Sequence, residues 1–238
     1  MSVRGVGLLP AWLALAACLG WQAAAPCAAG GAPADVRVPY GGSYAVPVTS
    51  LKAARYRTTV PQQHDFSCGS AAIATLLTFQ YGHAVGEGDV FRHMYERGDQ
   101  ARIRRQGFSL LDMRAYLEAQ GYAADGFEVP LDRLVEEGLP AIVLLNDRGY
   151  RHFVVVKGMR AGRVLVGDPA RGTRLLPRRE FDRLWDNRVL FVVHNRRELA
   201  AFNHPRDWRL APLAPLATAV QRQGLQDVVM HRRGPGDI

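Results

Sequence analysis

Lysine is almost missing. Of 30 cationic side chains only Lys52 and Lys157 are lysines, and the arginines are scattered along the chain. The formal charge is +8, yet no aromatic-interleaved basic stripe or groove-reading motif accompanies it, which argues against nucleic acid as a partner. A general attraction for acidic surfaces or anionic lipid remains open. Cysteine is scarce too: there are three, and Cys18 and Cys27 lie within the first 34 residues. Internal repeats are absent. Beyond the N-terminus no apolar run is long enough to span a bilayer. No second Cys or His pair stands at metal-ligand spacing from Cys68. His64-x3-Cys68 alone is a weak metal signal, and no metal is expected.

The long apolar run that does exist opens the chain. Met1 to Leu9 carries Arg4 and no acid, Leu8 to Ala25 is apolar, and Ala32-Pro33-Ala34 gives a small-x-small pattern before Asp35. This is the layout of a secretory signal peptide over residues 1–34, and it predicts export to the periplasm with cleavage near Ala34. Two alternatives compete. A membrane anchor would need the same run, which Gly20 and Trp21 interrupt. A lipoprotein would carry lipid on Cys18, since Leu15-Ala16-Ala17-Cys18 resembles a lipobox, although the sequence after it stays apolar. Cleavage leaves Cys68 as the sole cysteine, in a compartment that allows disulfides but with no internal partner.

The 238 residues, with 48% apolar content, allow one domain plus extensions. Residues 35–55 mix Gly, Pro, Val and Tyr and read as an extended lead-in. A globular part is expected over 56–195, and a partly disordered extension over 196–238, with one short amphipathic helix at Pro215 to Gln223. Helical periodicity starts at Ser67, with Ile73, Leu76 and Leu77 on one face and Gly82 as the stop. A second helix fits Glu87 to Glu96. A third starts at Ser109, with Asp112 in the capping-box position and Gly121 as its end. The period then changes to strands: Tyr122 to Val129, Ala141 to Leu145, His152 to Lys157, Arg163 to Val166, Arg174 to Leu176 and Val189 to Val193. Short helices fit Pro130 to Glu137 and Phe181 to Trp185. Helices followed by a strand meander predict an α+β domain, with helices on one side of a mostly antiparallel sheet.

In QQHDFSCGSAA, residues 62–72, Cys68 opens the first helix. There the free N–H groups and the dipole favour a thiolate. Gly69 allows close approach of backbone or substrate. A thiol nucleophile also needs a histidine on another element. His64 is too near in sequence, His83 and His93 read as surface, His194 ends the last strand, and His204 and His231 fall in the tail. His152 begins an apolar strand and shares a face with Val154 and Val156. A hairpin of that strand with the next would return Asp168 to the level of His152, as an orienting partner for the imidazole. Gln62 could supply an oxyanion donor beside the Cys68 N–H, with Gln63 as a substitute. Each residue has a plainer reading: a buried small thiol, a core histidine, a turn Asp before Pro.

Taken in order, Q-x5-C-G-x-A-A, H-F-V-V-V and G-D-P-A-x-G resemble the C39 family of papain-like cysteine peptidases, the leader-cutting domains of bacteriocin exporters and their standalone relatives. The resemblance covers about Tyr56 to Asn195. It implies a papain-like α+β fold, no cofactor, and a protein or peptide substrate. It assigns Cys68 as nucleophile, His152 as general base and acid, Asp168 as the orienting residue and Gln62 as part of the oxyanion hole. The Arg-Tyr-Arg-Thr lead-in and GFSLLDM are similar to exported standalone members, some of which serve functional-amyloid or peptide-secretion systems, whose components would be partners. The signal peptide, the lack of a transporter and the extension of about 40 residues depart from exporter-type members. Double-glycine leader specificity is therefore not carried over. Two rival readings remain: a peptide-binding module that does not cut, and a Cys-His hydrolase of the peptidoglycan-cutting type.

Overall fold

The computed structural model describes residues 33–37, 43–47 and 49–210. Residues 1–32 of the expected signal peptide, with Cys18 and Cys27, and the helix expected at Pro215 to Gln223 lie outside the described residues, while Pro33 and Ala34 fall in a strand. Among the described residues no helix is long and apolar enough to cross a membrane. The lead-in is not wholly extended. Strands β1 (Pro33–Arg37) and β2 (Ser43–Pro47) pair antiparallel, and α1 (Leu51–Arg55) follows, capped by the Ser50 hydroxyl accepting from the Ala53 N–H.

Helix α2 (Cys68–Thr75) is built from small residues and every one is buried. The chain continues through a π-helical turn at Leu76–Gln80, and Gly82 ends it at φ 70°. Helices α3 (Glu87–Arg97), α4 (Gln100–Gln106) and α5 (Leu110–Ala119) pack around α2. The capping box of α5 forms as read: Ser109 Oγ accepts from the Asp112 N–H while Asp112 accepts from the Ser109 N–H. Helix α4 is an addition to the sequence reading. It buries only Ile103, so its apolar stripe is too thin to show periodicity.

The sheet holds six strands: β3 (Ala124–Phe127), β4 (Ala141–Asp147), β5 (Tyr150–Arg160), β6 (Arg163–Asp168), β7 (Gly172–Pro177) and β8 (Leu190–Val193), in the order β3-β8-β4-β5-β6-β7. Every described pairing is antiparallel. The fold is α+β, as expected. One detail differs, because helices cover both faces. Phe153 and Val155 pack with α2 to α5, whereas Val154, Val156 and Val166 pack under α6 (Arg133–Glu137) and α7 (Arg178–Leu184). Alternate residues of a central strand are apolar on both sides, so a second layer is required to keep the other set from water. Each fully buried Ile or Leu, such as Ile73, Leu77 and Leu165, contributes roughly 1.5–3 kcal/mol.

The first part of the C-terminal extension is folded onto this core. The Asn203 N–H donates to Lys157 O, the Met159 N–H donates to Asn203 Oδ1, and helix α8 (Pro205–Leu210) follows. Gly158 makes this possible, since a Cβ there would collide with the Asn203 side chain. Asp207 of α8 is fully buried and meets Lys157 Nζ at 2.8 Å. The other two ammonium hydrogens go to Thr58 O and Thr58 Oγ1, and Gln80 Nε2 donates to the second Asp207 oxygen. Burial pushes Lys157 down to about 8, with Asp207 pulling the other way.

Candidate active site

Three segments converge where the sequence placed its candidates. Cys68 is the first residue of α2 and is 7% exposed. The N–H of Phe153, the residue after His152, faces the thiol together with the N–H groups of Gly69 and Cys68 itself. His152 stands near the start of β5, and Asp168 is the last residue of β6. The β5–β6 pairing sets Val155 opposite Gly167, which brings the next residue of β6 toward the start of β5. His152 Nε2 lies 3.2 Å from Asp168 Oδ2, and both side chains are buried. Nδ1 is buried without a hydrogen-bond partner among the described residues, so one ring nitrogen is held and the other is free.

Asp168 is the most heavily bonded group at the site. Oδ1 accepts from the N–H groups of Ala170 and Arg171, and Oδ2 accepts from His152 and from Arg174 at 3.1 Å. Burial alone would raise its carboxyl. His152, Arg174 and the Ala170 N–H outweigh it and hold the group below the usual carboxylate range. It therefore stays ionised at neutral pH and can fix the imidazole.

One expectation from the sequence is corrected. The helix start was expected to favour a thiolate, but burial pushes the Cys68 thiol up, and the Asp168 charge adds to that. The surrounding N–H groups lower it by less. A resting thiol of this kind needs a base to take its proton, and the free His152 nitrogen is the available one.

Gln62 reaches the site from the other side. Its backbone N–H donates to Pro169 O at 3.2 Å, which straps it to the turn carrying Asp168. Its Nε2 donates to His64 O at 3.0 Å, and the same amide faces the Tyr150 phenol. Gln63 is exposed beside Gly88 of α3 and does not join. His64 is stacked on Phe66 and leans on Phe91.

Sequence reasoning missed two residues here. Arg174 on β7 could have been found from the β6–β7 hairpin, whose register sets it opposite Val166. Tyr150 stacks on the His152 ring at 4.9 Å between centroids and 27° between planes. Burial pushes its phenol up, the Gln62 amide opposes this, and charge at Cys68 and Asp168 adds to it, so Tyr150 shares the field of the site. Alternation along the strand was the available signal, since residues 150 and 152 share a face. Tyr150 is a positioning residue in this geometry. Stacking of this kind is worth roughly 0.5–1.5 kcal/mol, so Tyr150→Ala is expected to lower kcat about twofold to tenfold with KM nearly unchanged. Tyr150→Phe should restore the rate and the wild-type pH profile. A KM effect with an intact kcat would point to substrate contact instead.

A thiol at a helix start, an imidazole on a strand and a carboxylate behind it are the parts of a cysteine hydrolase. A family model described as Peptidase C39 family matches residues 57–197, and the chain belongs to that family. It is a cysteine peptidase, a hydrolase acting on peptide bonds. Two proteins named "Probable functional amyloid protease FapD" are similar to it. The one from Pseudomonas aeruginosa PAO1 is 40% identical over 156 residues, covering 66% of this chain and 69% of that protein. The one from Pseudomonas fluorescens is 41% identical over 146 residues, covering 61% and 64%. The alignment thus spans about two thirds of these relatives. Among solved structures, the peptidase domain of Streptococcus ComA, a bi-functional ABC transporter involved in a quorum-sensing pathway, is 18% identical. It covers 58% of this chain and 98% of its own, with a TM-score of 0.48.

Proposed function

We propose that the chain is an exported peptidase that cuts a secreted or periplasmic protein by Cys68–His152–Asp168 catalysis, in the service of a functional-amyloid system. The observation that carries the mechanism is the buried His152–Asp168 contact, with the second imidazole nitrogen left without a partner among the described residues and the N–H of the next residue, Phe153, facing the Cys68 thiol. The names of the two relatives support the amyloid context. The N-terminal layout of residues 1–34 supports export, with the lipid-modified form at Cys18 as the alternative route to the same compartment.

In this mechanism His152 Nδ1 takes the proton from Sγ as the sulfur attacks the scissile carbonyl carbon. The oxygen becomes an oxyanion, received by the Cys68 N–H and by the Gln62 amide, which turns to it from the Tyr150 phenol. His152 then gives its proton to the departing amine nitrogen as the C–N bond breaks, which leaves a thioester on Cys68. Water, deprotonated by His152, attacks the thioester and releases the acid and the thiol. Asp168 keeps Nε2 protonated throughout, so Nδ1 remains the nitrogen that exchanges protons.

The test compares exported proteins, by mass spectrometry of their termini, from cells carrying Cys68 and cells carrying Cys68→Ala. At least one exported protein is expected to keep an uncut segment in the Cys68→Ala cells. Identical termini in both, together with full export, would leave a binding role in place of a cutting one. N-terminal sequencing of the chain itself decides between cleavage near Ala34 and lipidation at Cys18.

A further inference from the structure

The turn that carries Asp168 also borders a cavity of about 730 Å³. Four cations line it, Lys52 and Arg55 from α1 and Arg171 and Arg174 from the turn and β7, against the single acid Glu180. Arg171 gives one nitrogen to Asp147 and Arg174 gives one to Asp168, and each guanidinium keeps further N–H groups. Lys52 and Arg55 are exposed, and neither forms an ion pair among the described residues. Leu51, 78% exposed, and Leu175 set apolar surface between these charges.

Helix α1 is what makes this surface unusual. It buries none of its residues, so the core does not explain it. Yet it is held firmly. Tyr56 Oη donates to Ala170 O at 2.7 Å, and the Arg55 backbone lies against Gly172. Gly172 has φ +77°, and a Cβ there would run into Arg55, so glycine is required twice over. Lys52 and Arg55 also precede residues 57–197, the span matched by the family model.

We propose that the trough between α1 and the Asp168–Gly172 turn holds an acidic, leucine-interspersed segment of the polypeptide on which the peptidase acts. This rests on the peptidase reading above and adds a substrate class to it. Cationic walls with apolar patches between them match alternating carboxylates and aliphatic side chains. The segment would lie apart from the scissile bond, joined to it through the turn that carries Asp168.

The test uses the full chain carrying Cys68→Ala, so that nothing is cut, and a short fluorescein-labelled peptide of repeated Glu-Leu-Gly. Ser-Leu-Gly and Lys-Leu-Gly repeats are the controls, and anisotropy is the readout. The Glu peptide is expected to bind at least about tenfold tighter than either control, and to weaken as salt rises from about 0.05 to about 0.5 M. Lys52→Glu with Arg55→Glu should weaken it about tenfold or more, and the double alanine variant by an intermediate amount. Both residues are solvent-exposed, and an unchanged melting temperature checks that the variants fold. The proposal is overturned if the Glu peptide binds no tighter than the Ser peptide, or if charge reversal at residues 52 and 55 leaves its affinity alone. It is equally overturned if duplex DNA or vesicles of phosphatidylglycerol bind the trough more tightly than the Glu peptide. The assay reads no hydrolysis, so it can fail while the peptidase holds, and succeed if cutting fails.

Discussion

Asp207→Asn is expected to destabilise the chain by about 3–5 kcal/mol, although the residue lies outside the matched peptidase span. Its partner Lys157 is fully buried, and three acceptors meet its three N–H groups. Removing the carboxylate charge leaves an ammonium in the core without a counter-ion, which is among the largest penalties a single substitution produces. Two further results separate this cause from ordinary packing loss. First, Lys157 already lies below its unfolded value, at about 8, and the loss of Asp207 lowers it further. Between the two folded values the variant binds fewer protons than the parent does, so its stability rises faster with pH. The deficit should therefore shrink as pH rises toward about 8 and stay level above it. Second, Lys157→Met combined with Asp207→Leu should recover most of the loss, since replacing both members of a buried pair with apolar groups is often neutral or better. A deficit for Asp207→Asn below about 1 kcal/mol by denaturant melt would refute the account, being no more than an exposed pair gives.

Asp168→Asn is expected to reduce kcat by roughly four orders of magnitude. Asparagine nearly preserves the shape, but its amide can present N–H groups to Nε2 and so favour the tautomer with the proton on Nδ1. That nitrogen could then no longer accept from Sγ. His152→Ala should fall to a similar level, and the two together should cost little more than either alone, because they act as a unit. Asp168 also accepts from two backbone N–H groups and Arg174, so some stability will be lost as well. The kinetic signature distinguishes the roles: a collapse of kcat with KM nearly constant in a chain that still melts cooperatively. The Asp168 carboxyl is depressed in the folded chain, so its stabilisation is complete above about 3.9 and is lost as pH falls through the folded value.

Much of this was legible because it is local or follows strand order. Ser109 and Asp112 are three residues apart, and their box formed as read. Cys68, His152 and Asp168 could be matched because each sits at the end of an element whose type the sequence announces. Arg174 and Tyr150 were harder, since their roles depend on register and on a side-chain stack that composition does not encode. The Lys157–Asp207 pair was beyond reach for a different reason. The two are 50 residues apart, and a lysine at the end of an apolar strand ordinarily turns to water. The resting thiol was misjudged because the helix start is visible in sequence while its burial is not.

The strap from Asn203 to Asp207 also sets an order of events. A chain emerging N-terminus first presents Cys68, His152 and Asp168 before it presents the carboxylate that neutralises Lys157. Until that late segment arrives, β5 carries the imidazole at one end and an unbalanced charge further along the same strand. The charge balance of that strand is completed by residues beyond 200. The contact made by residues 203–207 is thus what balances the charge that β5 carries beyond its imidazole.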